Sequence, residues 1–192
     1  MTLQTFTLGT FAQQGIAAGD FDSIATTTVG AGGAATVTFS SIPGTYAHLQ
    51  IRILGRTTAS STAPYLTGIR ATFNSDSASN YSWHWLDGSG SAATAGAGTS
   101  QTYLYVGNVT DSTATSNTFG ASICDILDYK DTNKYKTVRY LFGADGNGAG
   151  YVEFGSGNWR STSAITSITM VPTAGTSFAQ YSSFALYGIK AA

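Results

Sequence analysis

An all-β fold, an antiparallel jelly-roll-like β-sandwich of about ten strands with an extended N-terminal arm, is what this 192-residue sequence predicts. Three observations carry that reading. Apolar residues alternate with Ser, Thr and Gln in short runs, the pattern of half-buried strands. Clusters of Gly, Ser, Asn and Asp separate the runs at the spacing of roughly 8–12 residues that all-β sandwiches use. Charged residues make up only 10% of the chain while aromatic residues reach 12%, which marks a folded, weakly charged domain and not a disordered polar chain.

Taken in order, residues 1–22 differ from the rest of the chain. Leu3, Phe6, Leu8 and Phe11 are spaced irregularly among Thr, Gln and Gly. The segment reads either as a docking arm that buries these side chains on a partner, or as the first strand of the domain. Residues 23–192 read as one sandwich. Ile24–Val29 precedes a Gly-rich turn; Ala35, Val37 and Phe39 then alternate with Thr. Ile42-Pro43-Gly44-Thr45 is a turn, after which Leu49, Ile51 and Ile53 share one face. Leu66–Phe73 alternates, Asn74–Asn80 carries turn formers, and Tyr81, Trp83 and Trp85 lie opposite Ser82, His84 and Leu86. Gly88–Thr99 holds almost nothing but small residues and predicts a long surface loop. Tyr103, Tyr105 and Val106 predict a strand ending near Gly107.

Phe119–Tyr129 fits either period and is assigned as a strand because Gly120 and the β-rich surroundings disfavour a helix. Val138, Tyr140 and Phe142 come after the turn Asp131–Lys134. Val152 and Phe154 come after the turn Asp145–Gly148. Ile165, Ile168 and Met170 form a strand ended by Pro172, which cannot continue a ladder. Phe184 and Leu186, with Ala185 and Tyr187 on the opposite face, predict that the chain end is bound into a sheet.

The side-chain chemistry points away from catalysis. Ten acidic residues and two histidines show no metal-ligand spacing, no nucleophile elbow and no acid pair suited to polysaccharide cleavage. No cofactor motif and no metal site is expected. Asp145-Gly146-Asn147-Gly148 lacks the later oxygen ligands of a calcium loop. The lone Cys124 reads as a small buried hydrophobe. A net charge of −1 gives no basic patch, so no nucleic-acid partner is expected. There is neither an apolar run long enough to span a membrane nor the pattern of a signal peptide. Tyr81, Trp83, Trp85 and Trp159 are the candidate surface for a glycan or a protein partner, flat apolar rings with polar edges, with burial in the core or a subunit interface as the alternative. The scarcity of long charged side chains suits flat contacts between identical subunits, and a homo-oligomer, first of all a trimer, is expected.

Several ordered segments carry a resemblance. Asp22-Ser23-Ile24-Ala25-Thr26, Ser41-Ile42-Pro43-Gly44-Thr45-Tyr46-Ala47-His48-Leu49-Gln50-Ile51-Arg52, and Phe73-Asn74-Ser75-Asp76 before Asn80-Tyr81 are three. Ile126-Leu127-Asp128-Tyr129, Asn133–Arg139, Gly157-Asn158-Trp159-Arg160-Ser161-Thr162 and Ser183-Phe184-Ala185-Leu186-Tyr187-Gly188-Ile189 are the others. Together they resemble small structural proteins of tailed bacteriophage virions. The resemblance covers roughly Asp22 to Ile189. It implies a non-enzymatic virion protein made in the host cytoplasm: a capsid decoration, cement or head-spike protein, or a tail-fibre or tail-tip component that recognises host surface glycan. It implies as partners the major capsid protein or a neighbouring virion protein. Residues 1–22 fall outside the shared region, as an arm adapted to one docking site would, and the absence of room for a long shaft favours the capsid.

Overall fold

The computed structural model describes residues 20–60, 65–173 and 177–190. The described residues form strands joined by turns, with no helix. In chain order they are β1 (Phe21–Thr28), β2 (Val37–Phe39), β3 (His48–Gly55), β4 (Leu66–Phe73), β5 (Tyr81–Gly88), β6 (Ala93–Gln101), β7 (Leu104–Thr110), β8 (Gly120–Leu127), β9 (Lys136–Asp145), β10 (Gly150–Trp159), β11 (Ile168–Pro172) and β12 (Ser183–Ile189). An eight-stranded sheet runs β1-β12-β3-β8-β9-β10-β5-β6, and a four-stranded sheet runs β2-β11-β4-β7. All strand pairs are antiparallel.

Alternation decides what is buried. Leu49, Ile51 and Ile53 of β3, Cys124 and Ile126 of β8, Val138, Tyr140 and Phe142 of β9, and Phe184 and Leu186 of β12 line the inner face of the large sheet. They meet Val37, Phe39, Ile69, Ala71, Phe73, Ile168 and Met170 of the small sheet. The C-terminal strand β12 is thus bound between β1 and β3, as its sequence predicts. Cys124 is wholly buried, and burial pushes its thiol well above the ordinary range.

Four sequence expectations are corrected. The described residues carry twelve strands where about ten were expected, and most of Gly88–Thr99, expected as a long loop, lies in the edge strand β6 (Ala93–Gln101). Its small side chains allow two indoles of β5 to lie on it. Phe21 and Asp22, expected in the arm, belong to β1 and pair with Ile189 and Gly188. The strand around Tyr105 does not end at Gly107 but bulges there and continues to Thr110. Gly107 has φ +141° and a Cβ at this position would strike Ser122, so only glycine permits the strand to pass. Ile165 is buried but lies ahead of β11, which starts at Ile168. Leu3, Phe6, Leu8 and Phe11 lie outside the described residues.

One cluster seams the two sheets at the β4–β5 corner. Trp159 is stacked on Tyr81 at 6.2 Å and meets Phe73 edge-on at 5.6 Å. Its Nε1–H donates to Asp76 Oδ2 at 2.7 Å, and Asn80 Nδ2 donates to the same oxygen at 2.7 Å. The Tyr81 hydroxyl donates to the Asp76 carbonyl and accepts from the Phe73 amide, both at 3.0 Å. Burial alone would raise the Asp76 carboxyl, but these donors and the Ala78 amide hold it below its ordinary value. Asn74 stands beside it at φ 52°, a conformation Asn tolerates, and its Oδ1 accepts from the Thr166 and Ser167 amides at 2.8 and 3.1 Å.

Replacing Trp159 by Phe leaves a smaller aromatic ring and strips Asp76 of a donor, an expected loss of about 1–3 kcal/mol from the hydrogen bond alone. A carboxyl with a depressed folded pKa stabilises the fold above its unfolded pKa, and that contribution disappears as pH falls through the folded value. The difference between wild type and Trp159→Phe in urea denaturation should therefore shrink between pH 7 and about pH 3; a constant difference would show that the ring alone matters.

Candidate functional site

The small sheet is half as wide as the large one, and its edge strand β7 packs over β8, β9 and β10. The inner face of β5 and β6 therefore projects beyond it. This splits the predicted aromatic surface. Tyr81 and Trp159 are 0% and 2% exposed, core residues that offer no face to a ligand, which corrects the expectation for both. Trp83 and Trp85 are half-buried on the projecting flank. Register places Trp83 opposite Gly98 and Trp85 opposite Gly96. A Cβ on either glycine would enter the indole ring, so both indoles lie flat on the β6 backbone. Trp83 is closed off further by Tyr105, edge-on at 4.9 Å, which in turn meets Tyr103 at 5.6 Å, and the Arg70 guanidinium covers Tyr103 at 4.3 Å. Burial pushes the Tyr105 hydroxyl up to about 12. Among the described residues Trp85 has no aromatic neighbour of this kind, and it forms a ledge.

Beside the ledge, register brings Glu153 of β10 opposite Asp87 of β5, an acid pair that their separation in sequence conceals. Glu153 accepts from the Tyr140 hydroxyl, and Asp87 accepts from Thr94 Oγ1. Burial is the main reason that the Glu153 carboxyl lies above its ordinary range; the Tyr140 hydrogen bond and the nearby Asn108 amide oppose the shift and the Asp87 charge adds to it. Burial likewise raises Tyr140 strongly, with Glu153 adding to the effect. Both acids thus already have hydroxyl partners, an arrangement that anchors the flank. Among the described residues no group of three His, Cys, Asp or Glu side chains could hold a metal ion, and no helix is long and apolar enough to cross a membrane.

The opposite, outer face of the large sheet faces no second layer among the described residues, and it holds a block that the sequence pattern did not single out. Cross-strand pairing aligns Ile123, Leu141, Phe154 and Leu86 into one row over β8, β9, β10 and β5. They are 46%, 53%, 55% and 56% exposed. The next row on the same face reads Leu54, Ala121, Gly143, Val152, Gly88, Ala93. Leu54 and Val152 stand out at 49% and 59% exposed, whereas Gly143 and Gly88 have open space above them. Arg52 bounds the block on one side, held over the Tyr187 and Phe21 rings at 5.0 and 5.6 Å. A polar row bounds it on another: Gln50 Nε2 donates to Asp125 Oδ1 at 2.9 Å and Arg139 Nε to Asp125 Oδ2 at 3.1 Å. Part of the signal was present in the sequence, since Ile123, Leu141 and Leu86 each lie opposite a more buried, largely apolar set, whereas Val152 and Phe154 lie opposite Glu153, Gly155 and Gly157. Only strand order makes them contiguous. Comparison with protein-family models, curated proteins and solved structures returns no match for this chain.

The flank yields two expected outcomes. Gly96→Val should drive the Trp85 indole off β6, shifting tryptophan emission to the red and costing about 1–3 kcal/mol. Glu153→Gln keeps an acceptor for Tyr140 and removes the buried charge. A carboxyl with a raised folded pKa weakens the fold once ionised, so the variant should be more stable than wild type at pH 7 by on the order of 1 kcal/mol. That advantage should vanish as pH falls through the raised folded value to the ordinary carboxylate range, measured as the difference in Tm across that window.

Proposed function

We propose that this protein is a non-enzymatic structural protein of a tailed-bacteriophage particle, a capsid decoration, cement or head-spike subunit that works through protein contacts. The observation that carries the reading is the uncharged apolar block on the outer face of the large sheet, within a domain whose ordered motifs resemble virion proteins. Six large apolar side chains about half exposed on one flat face are characteristic of a surface that meets another protein. A face whose two apolar rows hold no charge except Arg52 at one end suits repeated, close contacts between subunits. In this reading the segment ahead of β1, through Leu3, Phe6, Leu8 and Phe11, docks on the major capsid protein or a neighbouring virion protein.

The same reading extends to topology. In a jelly roll of eight strands, strands one, eight, three and six make one sheet and two, seven, four and five the other. The order β2-β11-β4-β7 matches the first set. The order β3-β8-β5-β6 matches the second once the β9–β10 hairpin is taken as an insertion and β12 and β1 as additions beside β3. This supports a jelly-roll framework, the architecture of many capsid and lectin domains.

A second reading, a tail-fibre or tail-tip protein recognising host glycan, draws on the Trp85 ledge beside Asp87 and Glu153. A flat indole next to carboxylate acceptors is suited to the face and hydroxyls of a pyranose.

Quantitative mass spectrometry of purified particles separates the two readings: hundreds of copies per particle are expected for the head, a few to a few dozen for the tail. Deleting residues 1–20 should leave a soluble sandwich and abolish particle association. Saturable binding of host polysaccharide that Trp85→Ala removes, at low copy number, would establish the second reading instead.

A further inference from the structure

We propose that the outer face of the large sheet pairs with the same face of a second copy, about a twofold axis that runs along the strands between β9 and β10. The inference rests on the reading of that face as a contact surface and adds its occupant. Such an axis folds each cross-strand row onto itself. In the row nearest the sheet end, Val152 of one copy then stands over Gly143 of the other, and Leu54 over Ala93. These are knobs facing open positions: nothing lies within 4 Å of a Cβ built on Gly143, while Val152 is 59% exposed. In the apolar row Leu141 meets Phe154 and Ile123 meets Leu86, large side chains against large. In the polar row Arg139 faces Ser156 and Asp125 faces His84, so no like charges oppose each other. Arg52 faces Ala95, with its guanidinium already held over two rings.

The area suffices. Six strands about 4.8 Å apart and three same-face rows about 6.8 Å apart cover roughly 600 Å² per copy. The total of about 1,200 Å² reaches the range of specific interfaces. Aligned sheets pack at an angle of about 30°, so the pairs closest to the axis, Leu141–Phe154 and Gly143–Val152, keep their opposition best. A self-complementary contact of this kind closes at two copies, whereas composition alone suggested three.

Native mass spectrometry and light scattering of the purified full chain test this without any virion component. A dimer is expected at tens of micromolar, dissociating on dilution. Gly143→Phe fills an open position on the face and should leave the thermal unfolding of the monomer unharmed, yet weaken dimerisation by about a hundredfold. Phe154→Lys should do the same, while Tyr181→Lys, which removes an exposed ring outside the face, should change nothing. A monomer at all concentrations, a trimer, or a dimer indifferent to both Gly143→Phe and Phe154→Lys overturns the proposal. The copy number on particles can still support the virion reading in any of those cases, so failure of one is distinguishable from failure of the other.

Discussion

The unequal width of the two sheets governs this molecule. Eight strands at about 4.8 Å spacing make a layer roughly twice as wide as four can cover. The uncovered inner flanks must be closed by something other than a strand, and aromatic rings laid on glycines do it. On one flank Trp83 and Trp85 rest on Gly98 and Gly96 of β6; on the other, Tyr46 rests on Gly188 of β12. Between them, Tyr140 covers Gly155, and Phe178 packs edge-on against Phe184 at 4.7 Å. A ring on a bare backbone gains apolar contact without needing a facing side chain. The glycines here are therefore packing partners, chosen for the side chain they lack.

This explains which parts of the fold were legible. Strands with inward apolar residues, such as Leu49-Ile51-Ile53 or Val138-Tyr140-Phe142, declare themselves by period, and the ambiguity around Ile123 resolves through Gly120 and context. β6 could not be read that way, because Ala-Gly-Ala-Gly carries no hydrophobic period; its contribution is space for the indoles of β5. The fate of the four aromatic candidates was equally hidden. Alternation puts Tyr81, Trp83 and Trp85 on one face, but only the tertiary packing, with Phe73 and Trp159 against Tyr81 and Tyr105 against Trp83, decides that Tyr81 is core and Trp85 is not. The Asp87–Glu153 pair and the outer apolar rows come from strand order, which a single sequence does not reveal.

Low charge has a cost that the fold meets locally. Lys136 is wholly buried, and its ammonium donates to the carbonyls of Asp131, Lys134 and Thr162 at 2.6, 2.8 and 3.2 Å. Burial lowers its pKa while the nearby Asp131 and Asp128 charges oppose that. The three carbonyls tie the β8–β9 turn to the loop after β10, so one cation orders backbone that would otherwise need several side chains. Arg56 does the same with its guanidinium on the carbonyls of Ser112, Ala114, Thr115 and Thr118. These two cations serve the loops, and the charges that do stand on the outer sheet face, Arg52, Asp125 and Arg139, lie at the border of the apolar block.

That division bears on the two candidate surfaces, because they are back to back on the same strands. On β10 Phe154 points outward into the apolar row, while Glu153 and Gly155 point inward to Asp87 and Tyr140. Shifting the register by one residue would exchange the two sets, burying Phe154 and expelling Glu153. The turn Asp145–Gly148 forbids such a slip: Asp145 Oδ1 accepts from the Asn147 amide at 2.8 Å, with Asn147 at φ 60° and Gly148 at φ 122°. A short turn with two left-handed residues allows one pairing of β9 with β10. The inner flank and the outer contact face are therefore fixed by the same turn, and neither can be altered through that hairpin without displacing the other.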